Sequence, residues 1–457
     1  MDKIQEIFKN QFEKLQEYVD GSDNFFMKGD FEGFERGLSE LLNKLHDDIC
    51  VSKLNDITES AEFKEVIKDY AACEGIKKRS KRQVQVQFKT GAKRTINSYY
   101  GKQAKGQRSI DRHVGLSYLG FIKKASPMYV SSSSITSVLC PSFSIGQQLM
   151  QEMGISGSYN RIRNLSIELG QQVVSQGIRS IIRVDESMEN KRVVVMIDGG
   201  RSRTRLENGY YTMRGHPKFD TDWREVKLLA ILVVDSNGKI ERKELPLYDI
   251  TVNDIEEAMS KLTEALILLN VEGAKEVQFI SDGATCFWKR IEEVFAAANV
   301  EQHKITYSLD YYHAVEHLSG LVQESTDNLL DSEERKKWFM ELKNLLWSGQ
   351  VESLLNKVKE FCEKKGKEVK GKLLTEMNYF EKHKNRMRYQ LFRAQKWLCG
   401  SGAVESAIRR IINLRFKSPS SFWLIEHIEP LSFLRAAFLS GRWKILLQNL
   451  KNKGDNF

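Results

Sequence analysis

Two apolar runs of β-forming residues constrain this chain more than anything else in it: Arg192 to Asp198 (RVVVMID) and Lys227 to Val234 (KLLAILVV). They are too short for typical helices and rich in Val, Ile and Leu, so they read as strands buried in a sheet. A third strand is predicted over Lys239 to Leu247, after the turn Asp235-Ser236-Asn237-Gly238, which makes the first three strands an antiparallel meander. Asn253 with Glu256 at the capping-box position predicts a helix running to about Asn270. Beyond it a strand is predicted at Glu276 to Ser281, a helix at Cys286 to Asn299, and a strand at Lys304 to Leu309.

Three antiparallel strands, then helix, strand, helix, strand, is the order expected of an α/β fold with a ribonuclease-H-like core. After Tyr311 the strands stop, and a charged, proline-free stretch to about Lys396 keeps helical period. Its apolar stripes, Trp338, Phe339, Leu342, Leu345, Leu346 and Val351, Leu354, Leu355, Val358, predict an all-α insertion with aromatic core positions. The chain resumes at Cys399-Gly400-Ser401-Gly402, with a helix from Ala403 to Arg415 and a closing helix after Pro430. The resulting division is an acidic helical region 1–75, a basic region 76–140, a helix-turn-helix 141–185, a first core segment 186–318, the insertion 319–396 and a core completion 397–457.

Charge separates the regions ahead of the sheet. The 457 residues carry a net charge of +9. Residues 1–75 hold nine basic and eighteen acidic side chains, whereas residues 76–125 hold fourteen basic ones and a single acid, Asp111. The second window includes Lys77, Lys78, Arg79, Lys81, Arg82, Lys93, Arg94, Lys105, Arg108 and Arg112, among Phe88, Tyr99 and Tyr100. Val84, Val86 and Phe88 alternate with Gln, Lys89-Thr90-Gly91 turns, and Thr95 to Tyr100 returns, so a two-stranded hairpin carries this charge. Such a surface points to nucleic acid, since neutralised phosphates release counterions. A solvated basic face is the plainer reading. Ser144 to Met153, then Gly154 to Ser158, then Tyr159 to Leu169 follow the helix-turn-helix pattern, with Arg161 and Arg163 placed to face DNA. An ordinary helical hairpin has the same pattern.

Six scattered cysteines with no CxxC point to a reduced compartment and to small core residues. No apolar stretch approaches the ~20 residues of a membrane span, and Met1-Asp2-Lys3 opens an amphipathic segment unlike a signal peptide, so a soluble cytoplasmic chain is expected.

Three carboxylates fall where strands end or a helix begins. Asp198 ends the first strand, Asp282 the fourth, and Glu405 lies in the first turn of the helix after Gly402. In a ribonuclease-H-like sheet the first and fourth strands are neighbours, so Asp198 and Asp282 would emerge side by side and repel unless a cation neutralised them. Oxygen-rich sites of this kind suit two Mg²⁺ or Mn²⁺ ions for in-line phosphoryl displacement. Asp310 and His313, just after the fifth strand, are further catalytic candidates at the same edge. Each acid has a bland alternative: Asp-Gly is a common turn, and Glu405 is spaced to pair with Arg409.

The blocks Ile197-Asp198-Gly199-Gly200-Arg201-Ser202-Arg203-Thr204-Arg205, Thr221 to Leu228, Ser281-Asp282-Gly283-Ala284, Asp310 to Leu318, Gly400 to Arg410 and Ser440-Gly441-Arg442-Trp443 resemble bacterial insertion-sequence transposases of the ISKra group. That group is related to the Mutator-like enzymes. The resemblance implies an aspartate, aspartate, glutamate (DDE) triad on Asp198, Asp282 and Glu405. It also implies an Asp-x-x-His signature on Asp310 and His313, and a helical insertion before the glutamate. It further implies a metal-dependent enzyme acting on double-stranded DNA, at element ends and target, as a dimer or larger. Arg201, Arg203, Arg205, Arg409, Arg410, Arg415 and Lys417 would then lie near phosphates. Many relatives carry paired cysteines after a Tyr-Tyr; here Tyr99-Tyr100 is followed by Gly101 to Gly106 with no Cys, so the basic hairpin would have to fold without a metal. A catalytically silent DNA-binding regulator and a structure-selective nuclease are the rival readings of the same core.

Overall fold

The computed structural model describes residues 3–76, 78–102, 113–418 and 421–451, and divides into two compact units, residues 1–173 with 447–457 and residues 174–446. The regions separated above by charge thus share one unit, residues 186–446 lie in the other, and the last stretch, 447–457, belongs to the first. Lys77, Lys105, Arg108 and Arg112 lie outside the described residues.

In the first unit, helices Lys3–Asp20, Asp23–Met27, Phe31–Glu59 and Ala61–Cys73 precede an antiparallel hairpin of β1 (Lys78–Gln87) and β2 (Lys93–Lys102). Asp30 and Ser60 cap the last two helices, accepting from Gly33 N at 2.9 Å and Phe63 N at 3.2 Å. Val84 pairs with Ile96 across the hairpin. One hairpin face buries Val84, Val86, Phe88 and Ile96 with Leu116 and Phe121, packed on Cys50, Val51 and Leu54 of the third helix. Apolar burial against a helix therefore supplies the support that a metal could give a small ribbon. The hairpin turn docks on the turn between helices Phe143–Glu152 and Tyr159–Gln176: Ser156 N donates to Thr90 O at 2.8 Å. Gly91 is required there, because its φ is +80° and a Cβ would lie 1.7 Å from Ser156 O.

The second unit holds a five-stranded mixed sheet in the order β5-β4-β3-β6-β7, with β3 Arg192–Tyr211, β4 Pro217–Val234, β5 Leu247–Thr251, β6 Glu276–Ser281 and β7 Ile305–Leu309. β3, β4 and β5 pair antiparallel, while β6 and β7 run parallel to β3. Helices Ile255–Leu268, Thr285–Trp288 and Ile291–Ala297 connect the later strands. Helices Tyr311–Thr326, Ser332–Trp347, Val351–Lys364, Gly371–His383 and Tyr389–Ala394 follow β7. The predicted stripe positions Leu342, Leu346, Leu354, Leu355 and Val358 are buried among them. No helix of the described residues is long and apolar enough to cross a membrane.

Several elements differ from the sequence reading. β3 and β4 do not stop at Asp198 and Lys227 but continue as a hairpin arm to Tyr211 and from Pro217, almost wholly exposed beyond Thr204. The third strand is Leu247–Thr251, buried throughout, rather than Lys239–Leu247, whose alternating charges belong to a loop with one bridge from Ile240 to Val234. The N-cap after it is Asp254, which accepts from Glu257 N at 3.0 Å; Asn253 Nδ2 donates to the Glu257 carboxylate instead. The helix predicted over Cys286 to Asn299 is two short ones, and the helix Ile425–Leu439 carries Pro430 inside it, followed by a last described helix, Trp443–Lys451. Among the cysteines only Cys140 and Cys362 are buried, and Cys73 and Cys286 are exposed.

The block Ser440-Gly441-Arg442-Trp443 is structural in part. Arg442 is fully buried and donates to both carboxylate oxygens of Glu186 at 2.6 and 2.9 Å and to the carbonyls of Ile181, Leu245 and Pro246. Glu186, whose burial alone would raise its pKa, is held below the usual carboxylate range by this guanidinium.

Candidate active site

Asp198 and Asp282 each follow the last paired residues of adjacent parallel strands, Ile197 opposite Ser281. Asp282 therefore stands at the carboxyl end of β6, and Asp198 stands within β3 where its parallel pairing with β6 stops. Asp310 follows β7, one strand over, where its N–H donates to Ser281 O at 3.0 Å. The chain returning from the insertion is registered on the same strands. Buried Gln278 of β6 exchanges two hydrogen bonds with the Leu398 backbone, at 2.7 and 3.2 Å, and Tyr311 N donates to Cys399 O at 2.9 Å. This places Gly400 and Ser401 beside Asp310, where Ser401 N donates to the Asp310 carboxylate. Ser401 Oγ in turn donates to Glu405 Oε1 at 3.1 Å.

Glu405 is carried by the helix Gly402–Ile408, which continues into a π-turn at Arg409–Asn413. Gly200 lets that helix close on β3: a Cβ there would lie 3.1 Å from Ile408 and 3.2 Å from Ile412. The glycine two residues after Asp198 thus admits the helix that delivers Glu405.

The edge is electrostatically uneven. Asp310 is fully buried, which works to raise its pKa, but hydrogen bonds from His313 and Ser401 outweigh burial and hold it down at about 2. His313, bonded through Nδ1 to Asp310 Oδ1 at 3.3 Å, is raised to about 9 by that bond, against the pull of burial, with help from Asp198 and Asp282. Burial, with the nearby Asp282 and Glu405 charges, raises Asp198 to about 6 despite the Gly199 N–H and His313. A protonated imidazole therefore stands among four carboxylates.

Among the described residues, Asp310, His313 and Glu405 bring ligand atoms within 4.8 Å of one another. That set overlaps the sequence-predicted triad only at Glu405. The two differ in how their lone pairs are used. Asp310 already accepts from His313 N at 2.8 Å, from His313 Nδ1 and from Ser401 N. Asp198 accepts from Gly199 N at 2.7 Å, and Asp282 from Ala284 N at 3.0 Å and Ser281 Oγ at 3.4 Å. The oxygens with capacity left for a cation are thus on Asp198, Asp282 and Glu405, while Asp310 is spent orienting His313 and Ser401. Such all-oxygen donors fit Mg²⁺ or Mn²⁺.

The basic candidates sort differently. Arg201, Arg409, Arg410 and Lys417 are exposed and Arg205 is half-buried. Arg203 lies against Trp223 and Phe422, 5.0 and 5.3 Å from their ring centres. Arg415 is a correction: it is buried against Trp423 at 4.7 Å, so it packs rather than faces solvent. Arg161 is a second one. Its guanidinium donates to Gln87 Oε1 at 2.6 Å and Lys123 O at 2.7 Å, tying its helix to β1, and burial lowers its pKa. Arg163 is half-buried and Lys93 exposed. In the hairpin Lys81 pairs with Glu59 at 2.5 Å, Arg94 lies 4.0 Å from Asp47 and 3.9 Å from Asp48, and Arg82 covers the Tyr100 ring at 4.2 Å. Strand Lys78–Gln87 also contains Lys78 and a half-buried Arg79.

No family model matches the sequence, and no curated protein does. The solved Drosophila P element transposase strand transfer complex aligns at a TM-score of 0.26 and 13% identity, over 71% of this chain and 80% of that chain. A TM-score this low is only a weak similarity to a transposase and carries no argument about this chain, so the reading below rests on the site and the sequence motifs.

Proposed function

We propose that the chain is a DDE-type DNA transposase with a ribonuclease-H-like core, cutting element ends and joining them to target DNA. The observation that carries this is that Asp198 and Asp282 directly follow the paired residues Ile197 and Ser281 of adjacent parallel strands, with Asp282 and Glu405 near enough to act on Asp198 through their charges. The sheet order β5-β4-β3-β6-β7 agrees with the strand succession expected of such a core, and the helices between β7 and Glu405 agree with the expected insertion.

Asp198, Asp282 and Glu405 would hold two Mg²⁺ or Mn²⁺ ions. Bound there, such cations supply charge neutralisation at the transferring phosphate and activation of the attacking oxygen. Asp310 would hold His313 in its protonated form, able to donate to a phosphate oxygen at this edge. Exposed Arg201, Arg409, Arg410 and Lys417, with Arg205, would contact phosphates and set register without reading bases. In the hairpin Lys78, Arg79 and Lys93, together with Arg163, would bind the terminal repeats. Pairing two ends would take at least a dimer.

The test is cleavage of duplexes carrying the element's terminal inverted repeats, with Mg²⁺ and the purified full chain. Cut ends and joined target products are expected. Binding without cutting would support the silent regulator, and cutting without joining the nuclease.

A further inference from the structure

The helical insertion contributes a side chain to the acidic edge that no motif marks. Helix Gly371–His383 lays Tyr379 over the end of β6: a Cβ on Gly283 would lie 2.3 Å from Tyr379 Cε2 and 3.0 Å from its Oη. The phenol therefore fills the space above the residue following Asp282. Its ring is fixed from behind, stacked on His317 with centroids 3.6 Å apart and planes 19° apart. His317 is itself held by Glu376, Nδ1 to Oε2 2.7 Å. Asp282 and Asp310 both act on the phenol through their charge.

Although the ring packs against His317, Phe380 and His383, the Tyr379 hydroxyl oxygen is enclosed without a hydrogen-bond partner among the described residues. Buried hydroxyls are nearly always paired, because an unpaired one forfeits its hydration for nothing. Phe would fill the same volume without that cost. A tyrosine there is accounted for if its partner arrives with the substrate.

We propose that Tyr379 Oη donates a hydrogen bond to a non-bridging oxygen of the phosphodiester held at Asp198 and Asp282. The proposal rests on the strand-transfer reading above. The donor would be pre-aimed by a rigid ring and would strengthen as negative charge develops on the phosphoryl oxygens in the transition state. It would be the insertion's direct part in the chemistry, with His317 and Glu376 as its positioning residues.

Tyr379→Phe in the full chain tests it, with two readouts. Cleavage of terminal-repeat duplexes should slow by roughly a hundredfold to a thousandfold at unchanged duplex affinity, while the melting temperature stays level or rises. Rescue is expected when Tyr is restored. A wild type that cuts and a Tyr379→Phe variant that cuts equally fast would overturn the role of Tyr379 and leave the transposase reading intact. A melting temperature lowered by more than ~2 °C would also overturn it, because the hydroxyl would then have a structural partner. If wild type and Asp282→Ala are equally inert on every duplex, the strand-transfer reading falls and this proposal with it.

Discussion

The basic hairpin of the first unit and the acidic edge of the second treat their charges in opposite ways. The hairpin, so lopsided in sequence, is compensated in part within its own unit: Glu59 meets Lys81, Asp47 and Asp48 flank Arg94, and tyrosine rings lie under Arg82 and Lys81. The sheet edge gathers Asp198, Asp282, Asp310 and Glu405 with one imidazole between them, and burial makes that arrangement costlier still. Compensated charge contributes to folding, whereas charge held together without compensation points to something that arrives later. The density of a charge run in the sequence is therefore a poorer guide to function than what each charge meets in the fold.

The comparison breaks most visibly at the acids. Asp198→Ala or Asp282→Ala should reduce strand cleavage by about a thousandfold or more while leaving duplex binding nearly unchanged; near-normal cutting by either variant would return them to the role of turn residues. A compensated buried charge should fail in the other way. Arg442→Met leaves the buried Glu186 with only Arg183, whose N–H donates to it at 3.0 Å, and should cost about 3–5 kcal/mol in urea unfolding, with any residual activity per folded molecule unchanged.

The edge also makes a pH prediction. His313 in the metal-free protein is raised to about 9 from an ordinary 6.5. A folded value above the unfolded one means its stabilising contribution is complete below about pH 6.5 and is lost as the pH climbs through about 9. Histidine resonances followed by NMR should show this titration, and Asp310→Asn should bring it down. A His313 that titrates at its ordinary value would remove the cation from the cluster.

The smallest effects separate the two arginines of the turn region. Arg161→Ala should lower stability by about 1–3 kcal/mol, since it strips partners from Gln87 and the Lys123 carbonyl. Arg163→Ala should leave stability unchanged and reduce the salt slope of DNA binding by about one. The reverse pattern would restore Arg161 to a DNA-facing role.

Much of this edge was legible in the sequence because apolar strands announce themselves and carboxylates at their ends are conspicuous. Asp198, Asp282 and Asp310 were picked out by strand order, and Glu405 by its place in the first turn of the helix after Gly402. The arm beyond Gly200 was not, because polar and charged residues with no buried face leave no period to read. The strand Leu247–Thr251 was misplaced because Asp249, buried in its middle, interrupts the apolar run. Arg161, Arg415 and Arg442 look like surface charges until their tertiary partners are seen. Tyr379 was read within the helical insertion, and only its contact with Gly283 reveals it at the site.

The most direct measurement of the central claim is Mn²⁺ binding to the full chain by EPR, comparing wild type with Asp198→Asn, Asp282→Asn and Glu405→Gln. The account predicts bound Mn²⁺ in the wild type, lost or strongly weakened in each of the three variants. Wild-type affinity in all three would contradict it.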